Sequence, residues 1–175
     1  MRVVDASSNH EERENRDLAG FVEAPAANDK FTCLVPVCSL EAAAGLWGPE
    51  TAPEEIGWAE AAGASIKPDM FIARVRDHTM EPNIKDGSRN LFCPCPQGSR
   101  EGRIGLAQFN SMSDPENGGR FTVKKYHAKK TVSEGAWHHE RIELLPVNPN
   151  NDPIPVAPQE GPEMVVVWES VGGIN

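Results

Sequence analysis

Fifteen glycines and fifteen prolines punctuate this chain of 175 residues, and that punctuation restricts its fold more than any other feature. Proline breaks a helix interior and glycine weakens one, so the runs between them favour short strands joined by turns. "DMFIARVR" at 69–76 alternates, placing Phe71, Ala73 and Val75 on one face of a half-buried strand. "FTCLVPVCSL" from Phe31, "RNLFCPC", "RIGLAQFN", "RFTVKKYH", "RIELLPV" and "EMVVVWESV" read as further strands. The loops between them are rich in Gly, Pro, Asn and Ser. "AAAGLWGPETAPEEIGW" is too broken by Gly and Pro to hold a stable element. A short helix could form around 9–21, but its apolar stripe is thin. The expectation is a mainly β chain of several short, mostly antiparallel strands with little helix.

Three regions follow from composition. Residues 1–30 are polar, with seven acids against four bases, and read as a weakly ordered arm. Residues 31–68 carry a strand, a small-residue loop and a linker, and residues 69–175 form the main β domain. A net charge of −9 argues against broad nucleic-acid binding, which needs a positive field, although Lys124, Lys125, Lys129 and Lys130 could form a local basic patch. No helix-turn-helix pattern is present, so no dedicated DNA-reading domain is expected. Neither a bilayer-length apolar run nor a signal-peptide pattern occurs, which points to the cytoplasm and to no membrane partner. There, Cys33, Cys38, Cys93 and Cys95 are expected as free thiols. Their spacings are not the two-residue spacing that structural zinc sites prefer, so neither a metal site nor a cofactor is expected.

Three features in fixed order suggest chemistry. "LEAAAGLWG" at 40–48 holds the Ala44–Gly45 bond among tiny side chains, where an extended peptide can enter a narrow cleft without clash. "VRDHTMEP" at 75–82 carries Thr79, and "RFTVKKYH" at 120–127 carries Lys124 after the apolar Val123. A hydroxyl is a poor nucleophile at neutral pH and needs a base within hydrogen-bond reach. A lysine serves as that base only when its amine is neutral, which requires burial. Strand alternation sends Lys124 and Lys125 to opposite faces, so one can lie buried beside Thr79 while the other is solvated.

In these three segments and their order, the chain from about Val35 to its end resembles the LexA/UmuD family of self-cleaving peptidases, which have a LexA/signal-peptidase-like fold. The family pattern is an Ala-Gly or Cys-Gly cleavage site, then Gly-x-Ser-Met, then a strand bearing Val-Lys. "MEPNIKDG" and "IELLPVNPNNDPIPV" are similar to its Met-Glu-Pro, Asp-Gly and I-x-L-x-P-x-N-P segments. The resemblance implies Thr79 as nucleophile, Lys124 as general base and Ala44–Gly45 as the scissile bond. It places the oxyanion hole at the Thr79 backbone N–H and amides near Met80, with His78 and Met80 at the cleft. Cleavage would release residues 1–44 without metal or nucleotide. Also implied are a homodimer, a role in the DNA-damage, stress or defence response, and a partner. That partner would be a RecA–single-stranded DNA filament or a repair or defence protein.

The chain departs from this pattern at sensitive places. Thr79 replaces serine, and its methyl restricts χ1 and crowds the attack. Asp77 stands where the family has glycine; if it lay near the lysine, its charge would favour the protonated amine, the wrong direction for a base. Ser88 replaces the second acid after Asp86-Gly87. The departures fit a slow autoprotease, a cleavage-deficient relative that regulates a protein partner, or a deliberately altered variant.

Overall fold

Residues 17–39, 55–61, 63–94, 99–109, 120–133, 136–156 and 164–174 are described by the structure, a computed structural model. Ala44, Gly45, Cys95 and most of the possible 9–21 helix lie outside the described residues. The chain is mainly β, with nine strands among the described residues: β1 Leu34–Cys38, β2 Glu55–Glu60, β3 Phe71–Arg74, β4 Arg89–Pro94, β5 Ile104–Phe109, β6 Phe121–Ser133, β7 Ala136–Leu145, β8 Ile154–Val156 and β9 Met164–Ile174. Among the described residues the single helical element is a 3-10 turn, His78–Met80. Two units divide the chain: Met1–Arg74 with Arg89–Leu91 and Gly172–Asn175, and Val75–Ser88 with Phe92–Val171. No helix among the described residues is long and apolar enough to cross a membrane.

In the first unit the strand order is β2-β1-β3-β4. β1 runs antiparallel to β2, with Val35 opposite Ala59, and parallel to β3, with Val37 opposite Ile72. All five β1 residues are buried, which explains why its sequence is a continuous apolar run rather than an alternation. Pro36 sits opposite Trp58, whose N–H and carbonyl both bond to Val22, at 2.8 and 2.9 Å. The missing proline N–H therefore removes no bond between β1 and β2. Lys30 Nζ lies 4.6 Å from the Trp58 ring centre, and Phe31 meets that ring edge-on at 5.2 Å.

β2 corrects one expectation, because it forms inside the segment judged too broken for an element. Gly57 is needed there: a Cβ would stand 2.5 Å from the Phe21 ring. Residues 17–30, assigned by composition to the polar arm, lie along β2. Glu60 N–H donates to the Ala19 carbonyl at 3.0 Å, and Leu18 is buried.

The second unit orders β9-β5-β6-β7-β8, and each neighbouring pair in that order runs antiparallel. β6 and β7 form a longer hairpin than the expected strands, with a bulge where Lys129 faces Arg141 and Lys130 faces His139. β8 was not expected; its Pro155 is tolerated because the strand ends the order and needs no outward N–H. Ala107, Phe109, Leu144, Ile154 and Val156 make a core cluster, against which Tyr126 and Ile142 pack. Burial pushes the Tyr126 phenol up from its ordinary range.

Candidate active site

The site is built from the loop that follows β3 and from the start of β6, all within the second unit. Val75 N–H donates to the Ser88 carbonyl at 2.9 Å, and Gly87 N–H returns to the Val75 carbonyl at 2.8 Å. Those bonds close the segment, and Gly87 takes the positive φ of 72° that the Asp-Gly turn requires. Asp77 is extended and caps the His78–Met80 turn, its Oδ1 accepting from Thr79 N–H at 2.8 Å. The Thr79 carbonyl accepts from Val147 N–H at 2.9 Å and Asn148 N–H at 2.8 Å. Asn148 Nδ2 adds a bond to the His78 carbonyl at 3.1 Å. The "PVNP" segment therefore clamps the turn that carries the candidate nucleophile.

The same turn packs against β6. Along β6, Lys124 is buried and Lys125 exposed, as strand alternation requires. Lys124 Nζ donates to Asp77 Oδ2 at 2.6 Å and to Thr122 Oγ1 at 2.9 Å. The ion pair is enclosed, the side chains being 1% and 7% exposed. One carboxylate therefore bridges the candidate base and the backbone N–H that the resemblance assigns to the oxyanion hole. Thr79 is 1% exposed, and its Oγ1 has no hydrogen-bond partner among the described residues. The candidate nucleophile and base thus meet the same aspartate but make no hydrogen bond to each other.

The other candidates fall as follows. Met80 is fully buried, a packing residue beneath the turn. His78 is exposed, its ring nitrogens 3.5 Å from Glu81 Oε1 and 3.6 Å from Asp86 Oδ2. Of the basic patch, Lys125 and Lys129 are exposed, while buried Lys124 belongs to the interior and not to that surface. Cys33 is exposed, Cys38 buried and Cys93 half-buried, and Cys33 and Cys38 are free thiols. Among the described residues no three His, Cys, Asp or Glu side chains gather to hold a metal. Sequence reasoning missed Thr122 and the Val147–Asn148 clamp. Thr122 was findable, since residues two apart on a strand share a face. Comparison with known proteins finds no family that matches this chain and no curated protein similar to it.

Proposed function

We propose that the chain is a LexA/UmuD-like peptidase domain whose hydroxyl–lysine dyad is locked by Asp77, and that it acts as a cleavage-deficient module regulating a protein partner. The observation that carries this reading is the Asp77 carboxylate. It holds Lys124 Nζ at 2.6 Å with one oxygen and Thr79 N–H at 2.8 Å with the other. A general base must be able to take the hydroxyl proton, and an oxyanion hole must offer its N–H groups to the developing charge. Here one side chain engages both groups in the ground state. The threonine methyl adds a second impediment by restricting χ1.

Incubation of the purified chain at mildly alkaline pH, followed by intact-mass measurement, tests this. The wild-type chain stays whole. An Asp77→Gly, Thr79→Ser double variant removes the lock and the methyl. That variant breaks between Ala44 and Gly45, and adding Lys124→Ala abolishes the break. Lys124-dependent cutting of the wild-type chain refutes the lock, as does a folded double variant that remains whole. A second reading, slow self-cleavage of the wild-type chain, is favoured by the unpartnered Thr79 Oγ1, a hydroxyl with no competing bond. The same assay separates the two.

A further inference from the structure

The order of strands in the first unit bears on what any break between β1 and β2 would produce. The family pattern implies that a cut at Ala44–Gly45 frees everything before it. The register says otherwise. β1 precedes that bond, yet it lies between β2 and β3, pairing antiparallel with one and parallel with the other. Val35, Val37 and Cys38 are at most 2% exposed. The residues before β1 add a second attachment on the far edge of β2, since Trp58 exchanges both backbone bonds with Val22. Side chains reinforce it: the Phe21 ring fills the space over Gly57, Lys30 lies over Trp58, and Phe31 packs against that ring. β2 is therefore gripped along both edges by the segment that precedes the candidate scissile bond.

We propose that residues 17–39 are a self-supplied strand ligand for the slot between β2 and β3, so that a break anywhere from Ser39 to Glu55 nicks the protein without releasing its amino-terminal piece. The slot holds the extended β1 segment by main-chain ladders on both sides, with all five of its residues buried, the mode used when a strand is added to a sheet. The product of a cut is a two-chain protein in which the interface is the interior of the first unit. Its partner is the chain's own fragment. A cut would then expose new termini in the 40–54 region while leaving β1 seated. Extracting it would expose buried apolar surface and strip two strands of their bonds.

This inference rests on the strand order and contacts of the first unit and not on the dyad, so an external protease tests it independently of self-cleavage. A recognition sequence for a site-specific protease is inserted after Gly48 and, in a second version, after Thr51. Only chains whose melting curves match the wild type are cut, and each is then passed through native size exclusion and native mass spectrometry. The expected result is co-elution of the two pieces at the position of the uncut chain, with a combined mass, and separation only in denaturant. In the cut chain, Val37→Ala, which shortens a buried contact without adding polarity, should raise the rate at which a labelled fragment exchanges by tenfold or more, roughly the effect of losing 1.4 kcal/mol. An amino-terminal piece that elutes alone in native buffer overturns the proposal. So does an exchange rate that Val37→Ala leaves unchanged.

Discussion

Replacing Asp77 with alanine removes two interactions at once: the enclosed ion pair to Lys124 Nζ at 2.6 Å and the cap on Thr79 N–H at 2.8 Å. Removing one partner of a buried pair costs about 3–5 kcal/mol, because the other charge is left without compensation. Losing a capping side chain adds about 1 kcal/mol. The Thr122 hydroxyl still accepts from the amine, and a stranded amine can shed its proton, so the net loss should settle near about 4 kcal/mol. Asp77→Asn keeps an oxygen for the Thr79 N–H and removes only the charge; it should be milder than alanine by about 1 kcal/mol. Lys124→Met strands the carboxylate instead and should cost about 3–5 kcal/mol. The double variant Asp77→Ala, Lys124→Met leaves no buried charge, so it should cost less than the two single losses together by about 2–3 kcal/mol. Urea denaturation of the four chains, compared at constant slope, measures the coupling. Single variants that each cost under about 1 kcal/mol, and whose effects simply add, would refute the enclosed pair and with it the lock.

Four further outcomes are expected. Gly57→Ala drives a Cβ to 2.5 Å from the Phe21 ring and should cost about 1–3 kcal/mol by thermal denaturation, a loss that Phe21→Ala in the same chain partly restores. Burial, then the nearby Glu55 charge, pushes the Cys38 thiol from 9.0 up to about 12. The unfolded chain therefore loses its thiol proton first. The contribution is fully present below about pH 9 and is lost as pH rises toward 12, falling by up to about 1.4 kcal/mol per unit, a limb that Cys38→Ala flattens in urea titrations. A thiol reagent at neutral pH should accordingly label exposed Cys33 and spare Cys38 until the chain unfolds. The Glu101 carboxyl is held below its ordinary range, first by the Ala128 N–H and then by His127. Its contribution is present above the unfolded carboxylate range and is lost as pH falls through the folded value. Because Glu101 is largely exposed, Glu101→Gln should shift the acid limb by less than about 1 kcal/mol.

The strands with a clear alternation or an unbroken apolar run, β1, β3, β4, β5 and β9, were legible because their signal is local. β2 was not, because what holds Glu55–Glu60 together comes from Phe21 and Val22, more than thirty positions earlier. β8 was hidden by Pro155, a residue that argues against a strand unless the strand is known to end the order. At the candidate site, alternation correctly divided Lys124 from Lys125, since it depends only on backbone period. The charge of Asp77 could be weighed in advance but its distance could not: sequence tells which face a side chain takes, not which neighbour it finds. The Val147–Asn148 clamp on Thr79 was invisible for the same reason, although the residues that make it stand in a quoted motif.

The outer rim of β2 and the proline of β8 share a consequence for how this chain meets others. Val22 has already taken both main-chain groups of Trp58, and Pro155 presents no N–H at all. Neither rim offers an unbroken template on which a foreign chain could crystallise into a fibril.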